Sequence, residues 1–478
     1  MRPSGFVDSP SLQGEESGGA GGPARKHVEV AQAAMSDTDQ RLQDEIRRRL
    51  LAATASRLPT SALGRLGRTA MAALRSGRAM ASSHGTARGV EPPLPDVETL
   101  AAMVASIGEL KGIAMKAGQI LSYIDIDVPP ELRAALAVLQ THSPPMPFDQ
   151  VVAILRADLP DRADALLAGM EPVPAAAASI GQVHRARLPE GTPVAVKVRY
   201  PDIEKAIASD FRAAAVGTRM ASLFFPGART EALVAEARER FLSECDYLHE
   251  AGAQERFGDL FPTHPTVTVP SVHRDYCSTR VLTTTWIAGS TFQQFLDSSP
   301  GQDDRDRLGR SLFEFYIGTL FRHGLYNCDP HPGNYVFLED GRVAVLDYGC
   351  TREFDPAFLA RLTNLTRAVH ADTRDDLHRA FLDLGMVREG RRYDFDTARS
   401  LVRSFYGPML RDEEQAIHQG EVLSFRAVAR AKLELMKLSL PGEFLFLFRI
   451  RFGLMSILAR LQARANWYRL ERSFAASV

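Results

Sequence analysis

The chain has 478 residues, 45% of them hydrophobic and 24% charged, with a net charge of −1. That length exceeds one ordinary core, so two or three folding units are expected. The near-zero charge excludes a nucleic-acid binder held by bulk electrostatics. The four cysteines, Cys245, Cys277, Cys328 and Cys350, show no C-x-x-C spacing. They fit thiols in a reducing compartment better than a disulfide framework or a zinc ribbon. No apolar run reaches the roughly 18 residues of a spanning helix. The nearest stretch, from Phe444, is interrupted by Arg449 and Arg451 and reads as a buried core helix. No apolar region follows the first basic residue, as a secretory signal would require. The expected location is cytoplasmic, at most peripheral to a membrane.

In chain order, residues 1–45 read as a disordered tail, with the first 35 or so rich in Gly, Ser, Pro and Ala. Residues 46–90 form a basic, weakly amphipathic segment. Between Ile46 and Val90 there is no Asp or Glu, but there are nine arginines. Leu63, Leu66, Ala70 and Leu74 fall at helical spacing, while Gly64, Gly67 and Gly77 weaken the helix. The segment suits an anionic membrane surface, and equally a solvated linker with one packed helix. Residues 91–172 read as helical: Asp96 is a candidate N-cap, and Leu100, Met103, Val104, Ile107, Leu110, Ala114, Ala117 and Leu121 recur every three to four positions. Short helices follow from about 148.

Residues 173–286 change to strand texture. "SIGQVHRARL" and "PVAVKVRY" flank a Gly-containing turn, a hairpin signal. A long helix is expected from roughly Thr230 to Phe257, then the strands "TVTVPSVH" and "TRVLTTTWIAG". Residues 287–478 read mostly as helix, with one short β pair in "NYVFLEDGRVAVLD" turning at Asp340-Gly341. The fold class is α+β, with a small β-rich lobe and a larger helical one.

Chemistry concentrates in "LYNCDPHPGNYVFLEDGRVAVLDYGC". Asp329, Asn334 and Asp347 lie around that hairpin, and carboxylate and amide oxygens suit a hard cation such as Mg²⁺, which in turn bridges nucleotide phosphates. Either an Asp-x₄-Asn or a D-Y-G alone occurs in ordinary turns; together, around a hairpin, they are more specific. Lys197 sits among valines, and burying it is costly unless it is paired. An edge-strand lysine snorkelling to water is the alternative. Its candidate partners lie in "ECDYLHEA", where Asp246 and Glu250 share a helical face and Glu244 points elsewhere. Ala175 to Ala178 and Ser179 precede Lys197 where a phosphate-cradling loop would have glycines; a plain helix start is the alternative. Lys116 and Gln119 lie at i,i+3 on an otherwise apolar helix, where buried polar groups need partners; the alternative is a helix edge.

Taken in order, "KAGQ", "AAAASIGQVHRA", "VAVKV", "ECDYLHEA", "DPHPGNY" and "LDYGC" resemble the UbiB/AarF family of atypical protein-kinase-like proteins. The motifs cover about residues 95–355. The resemblance implies a two-lobe kinase-like fold, with residues 173–286 and 287–478 as its lobes and 91–172 as an N-terminal extension. It implies an atypical Mg-ATP enzyme, an ATPase or a small-molecule or lipid kinase, acting at a membrane in support of isoprenoid-quinone (ubiquinone) biosynthesis. The partners implied are ATP and Mg²⁺, an anionic membrane surface, and quinone-pathway lipids or enzymes. A non-catalytic nucleotide-binding scaffold and a protein Ser/Thr kinase are the competing readings.

By resemblance, Ala175–Ala178 and Ser179 form the nucleotide loop. Lys197 holds the α/β-phosphates and pairs with Glu250. Asp329 takes the catalytic-loop position, and Asn334 and Asp347 bind Mg²⁺. Lys116 and Gln119 belong to a motif laid over the active site that blocks a protein substrate. Glu244 and Asp246 belong to the acidic motif that meets it, so a Lys116–Glu244 ion pair is expected. "TTTWIAG" resembles the hinge that holds adenine. Asn327-Cys328 replaces the usual His-Arg, His331 stands where a lysine is usual, and no A-P-E follows: "TREFDPAFLARL" is expected to run straight into helix. Gly181 replaces the family's usual alanine.

Overall fold

The computed structural model describes residues 145–178, 180–205, 244–387, 389–390, 392–418 and 443–476. Two short helices, α1 (Phe148–Asp158) and α2 (Ala163–Ala168), lead into strands β1 (Ala176–Ala178), β2 (Gly181–Arg187) and β3 (Pro193–Arg199). Helix α3 (Tyr247–Leu260) follows, then β4 (Val267–Thr268) and β5 (Val281–Thr285). Strands β1, β2, β3 and β5 make one antiparallel sheet in that order. Strand alternation sends Val194, Val196 and Val198 to one face, where they are fully buried against Val151, Leu155 and Leu166 of α1 and α2. Burying each valine is worth about 1.5–3 kcal/mol. Asp158 at the end of α1 accepts hydrogen bonds from Arg280 and from Ser278 (2.7 Å), which ties that helix to the start of β5.

The opposite face of β3 presents Lys197 to α3. There Tyr247, Ala251, Ile180, Leu282 and Cys245 form a second apolar cluster. Within the described residues, α3 starts later than its sequence pattern suggests. Glu244 and Cys245 lie in a turn, and Asp246 is the extended N-cap whose side chain accepts from the Leu248 N–H at 3.0 Å. Glu244 and Asp246 therefore precede the helix and do not share its face with Glu250.

Ala176–Ala178 also depart from the helix-start alternative. They form a strand paired in register with Val183, Gln182 and Gly181.

The remaining elements are β6 (Ser290–Thr291), α4 (Phe292–Asp297), α5 (Gln302–Phe313), α6 (Thr319–His323), β7 (Leu325–Asn327), β8 (Tyr335–Phe337), β9 (Val343–Val345), β10 (Thr351–Glu353), α7 (Pro356–Ala371), α8 (Arg374–Asp383), α9 (Phe395–Tyr406), β11 (Gln415–Ala416), α10 (Glu443–Leu461), β12 (Arg464–Ala465) and α11 (Trp467–Ala475). Their core is aromatic: Phe313, Phe315, Tyr316, Phe321, Tyr326, Tyr335, Tyr348 and Trp467 are all buried. Helix α10 is the stretch read as a core helix, with Leu447, Ile450, Leu454, Leu458 and Leu461 buried at helical spacing. Its Arg451 is buried too, paired with Glu471 of α11 and stacked on Phe405 and Tyr406. Among the described residues no helix is long and apolar enough to cross a membrane.

The β8–β9 hairpin is present, with Gly341 at φ +85 in its turn. It is not the only pairing in this half. Strand β4 pairs parallel with β9, while β6–β8, β10–β7 and β12–β11 are antiparallel pairs. These strands of two or three residues are too short to show alternation. "TREFDP" accordingly does not run straight into helix, because Thr351–Glu353 is first used as β10.

Candidate active site

Lys197 leaves β3 between two carboxylates. Its Nζ donates to Glu250 Oε1 at 2.7 Å and Oε2 at 2.9 Å, and lies 3.8 Å from Asp347 Oδ2. It also sits 5.0 Å from the centre of the Tyr247 ring. The lysine side chain is 16% exposed and that of Glu250 is 3% exposed. Burial works against the ammonium, but the Asp347 and Glu250 carboxylates outweigh it and push its pKa up, so Lys197 is charged. Burial pushes the Glu250 carboxyl up, and Lys197 pulls it back.

The Asp347 carboxylate is steered from its own loop: Oδ1 accepts the Gly349 N–H at 2.9 Å. Asn327, fully buried at the end of β7, joins this loop to the neighbouring one. Its Nδ2 donates to the Asp347 carbonyl at 2.6 Å, and its Oδ1 accepts the Asp329 N–H at 2.8 Å. Asn334 donates through Nδ2 to the Asp329 carbonyl and to Asp329 Oδ2, at 3.1 and 3.2 Å. That orients Asn334 Oδ1 as the remaining acceptor. The Leu346 N–H reaches the Asn334 carbonyl at 2.9 Å. His331 caps the intervening turn by accepting the Gly333 N–H. Beneath this loop, α10 approaches so closely that a Cβ at Gly453 would fall 2.6 Å from Pro330 Cγ.

The alanine segment lies above. Ala175 donates its N–H to Val183 at 2.8 Å, and Ala176–Ala178 run along the edge of the sheet, with Ala175–Ala177 exposed. The departure at Gly181 has a steric reason: a Cβ there would collide with the Val198 carbonyl and approach the Tyr247 hydroxyl. The hairpin thus lies closer to β3 and Tyr247 than an alanine permits. Gln182 next to it is buried, exchanging hydrogen bonds with the backbone of Met146 at 2.7 and 3.1 Å. His184 Nδ1 faces the Glu171 carbonyl at 2.8 Å and so carries the proton, leaving Nε2 to accept from Gln182 at 2.9 Å.

The structure thus brings Lys197, Glu250, Asp347, Asp329 and Asn334 into one linked set. Asp246 is engaged as a helix cap, and Glu244 is partly buried in the preceding turn. Lys116, Gln119 and Ser179 lie outside the described residues, and so does the expected Lys116–Glu244 pair. Asn327 is legible in the sequence only as a departure from His, and nothing in the sequence singles out Tyr247.

Residues 138–380 match the ABC1 atypical kinase-like domain. The chain belongs to that family. It is 27% identical over 364 residues to the AarF domain-containing protein kinase 1 of Xenopus tropicalis, covering 74% of this chain and 69% of the relative. It is 29% identical over 283 residues to the mitochondrial atypical kinase COQ8 of Saccharomyces cerevisiae, covering 58% of this chain and 56% of the relative. Among solved structures it resembles Rv3197 of Mycobacterium tuberculosis, described in complex with erythromycin. There the TM-score is 0.59 and the identity 28%, over 77% of this chain and 93% of that one. The ABC1 family fold is a kinase-like α+β arrangement, as the sheet-rich region and the helices here display.

Proposed function

We propose that this ABC1 protein binds Mg-ATP and turns it over, as an ATPase or as a kinase of a small molecule or lipid, at a membrane surface in support of isoprenoid-quinone biosynthesis. The observation that carries the nucleotide reading is Lys197 held between Glu250 and Asp347 at 2.7 and 3.8 Å. A lysine so oriented presents a fixed positive charge to the α/β-phosphates. The donor set fits Mg²⁺. Asp347 contributes a carboxylate, and Asn334, its NH₂ spent on Asp329, contributes its amide oxygen. Phosphate oxygens and water complete such a site. When bound, Mg²⁺ neutralises charge on the β- and γ-phosphates.

In this reading Asp329, fixed by Asn327 and Asn334, takes the catalytic-loop role and orients an attacking water or hydroxyl. The exposed alanines of β1 then form the nucleotide loop, and "TTTWIAG", residues 283–289, is the hinge for adenine. The quinone and membrane parts rest on the resemblance to UbiB/AarF proteins and on the arginine-rich segment 46–90.

The test is phosphate release from Mg-ATP by the full chain, with and without anionic liposomes, beside Asp347→Asn. Release that requires Asp347 and rises with lipid is expected. Mg-ATP binding without release in every condition replaces the enzyme with a nucleotide-dependent scaffold. Equal Mg²⁺-dependent affinity in Asp347→Asn removes the metal assignment.

A further inference from the structure

Two cysteines stand at the points where the loops of this site meet. Cys328 immediately precedes Asp329, and Cys350 immediately follows Gly349. Strands β7 and β10 pair Asn327 with Thr351 and Tyr326 with Arg352. Continuing that antiparallel register sets Cys328 directly across from Cys350. The Cys328 N–H donates to the Cys350 carbonyl at 2.7 Å, the bond that this register requires at the end of the ladder. Directly opposed residues send their side chains to the same face, with Cα atoms about 4.5–5.5 Å apart. That separation falls within the roughly 4.4–6.8 Å that a disulfide spans. Both side chains belong to one apolar cluster, with Cys328 fully buried and Cys350 partly exposed. No disulfide joins any of the four cysteines in the structure.

We propose that Cys328 and Cys350 form a peroxide-responsive oxidation site, closing a reversible disulfide between the Asp329 loop and the Asp347-Tyr348-Gly349 loop. The partly exposed Cys350 meets the oxidant. Its sulfur attacks one oxygen of hydrogen peroxide, the O–O bond breaks, and the other oxygen leaves as hydroxide, which takes the thiol proton and becomes water. The Cys350 sulfenic acid is then attacked by the Cys328 sulfur. The S–O bond breaks, and hydroxide leaves with the Cys328 proton as a second water. Two thiols and one peroxide yield one disulfide and two waters. A dithiol reductant reverses the bond by exchange. The opposed register brings the partner to the sulfenic acid with only a small approach of the two strand ends, because opposed Cβ atoms lie about 4.5–5.5 Å apart and a disulfide takes about 3.5–4.5 Å. The covalent tie then reinforces the link that Asn327 makes between the same two loops.

The inference does not depend on nucleotide turnover, and its test does not read it. The full chain is treated with hydrogen peroxide, blocked with an alkylating reagent, digested without reductant and mapped by mass spectrometry. The expected result is a Cys328–Cys350 linked peptide, loss of two alkylatable thiols of the four, and recovery of both with dithiothreitol. In Cys328→Ser the link is absent, and Cys350 is trapped by a sulfenic-acid reagent. Because the bridge needs only a small approach of two opposed positions and also constrains the unfolded chain, oxidised wild type melts no lower than reduced protein. A Cys245–Cys277 link in its place, a linkage only between chains, or no linkage while the thiols are consumed overturns the proposal. So does a lower melting temperature of the bridged form.

Discussion

The Lys197–Glu250 pair permits an experiment in which stability and nucleotide handling come apart. At an effective dielectric of about 20, charges 2.7 Å apart attract by about 6 kcal/mol. Most of that offsets the cost of desolvating both groups. Replacing the lysine alone, as Lys197→Met, leaves Glu250 at 3% exposure beside Asp347 with its ammonium gone. The expected loss is about 3–5 kcal/mol, the usual result of stranding a buried charge. Glu250→Leu is milder, at about 2 kcal/mol, because Lys197 keeps Asp347 at 3.8 Å and the Tyr247 ring at 5.0 Å. The double change removes both charges and fills similar volume, so it recovers to within about 1 kcal/mol of wild type. Urea unfolding of the four proteins should therefore give a coupling energy of at least about 3 kcal/mol. Mg-ATP affinity, measured by calorimetry on the same samples, should be lost in the double variant although its stability returns. Additive single changes, with coupling below about 0.5 kcal/mol, would refute the reasoning. They would mean that the pair behaves like an exposed salt bridge.

Three further outcomes follow from the same geometry. Asn327→Ala removes both bonds of a fully buried amide; it should cost about 2–3 kcal/mol and weaken magnesium-dependent more than magnesium-independent nucleotide binding, checked by titration with and without a chelator. Gly181→Ala, although it restores the residue usual in the family, should destabilise by about 1–3 kcal/mol because the new methyl meets the Val198 carbonyl; a stability equal to wild type in urea would mean that the sheet yields. Asp158→Asn tests a pH dependence. Burial works to raise this carboxyl, but the hydrogen bonds from Arg280 and Ser278 prevail and hold it below the usual carboxylate range. A depressed folded pKa contributes stability that is complete above the unfolded value of about 3.9 and is lost as pH falls through the folded value. The deficit of the variant should therefore close below about pH 4, and a deficit independent of pH in melting curves would exclude the mechanism.

The parts of the molecule that were readable share one property: their signal is carried by the residues themselves. Lys197 among valines marks its strand, Asp340-Gly341 marks a hairpin, and a leucine period survives Arg449 and Arg451 in α10. Asp246 misled because Asp can cap a helix as readily as decorate its side, and only the backbone tells which. The strands β6, β7 and β10 are two or three residues long, and each is set by the neighbour it pairs with. Asn327 is the same case at the level of a side chain. Its amide matters because β7 ends where the Asp329 N–H and the Asp347 carbonyl lie on either side of it, a coincidence of three segments that no local pattern contains.

The path from Gly349 to α7 bears on what accepts phosphate. In a kinase that phosphorylates protein, this stretch offers free backbone against which a peptide can lie. Here Thr351–Glu353 pair with β7, the Phe354 N–H is taken by the Gly324 carbonyl at 2.8 Å, and Pro356 already opens α7. Glu353 is further tied to Arg256 of α3 at 2.8 Å. On the side that faces β7 a peptide could gain backbone hydrogen bonds only by displacing ones already made, and each displaced bond costs about what a new one contributes; the sheet ends at β10, whose outer edge is not closed by that pairing. Water or a small hydroxyl compound needs no such platform if Asp329 takes the role proposed for it. Under the proposed function, the β7–β10 pairing closes one side of this stretch to a peptide, and it does so from the same register that sets Cys328 opposite Cys350.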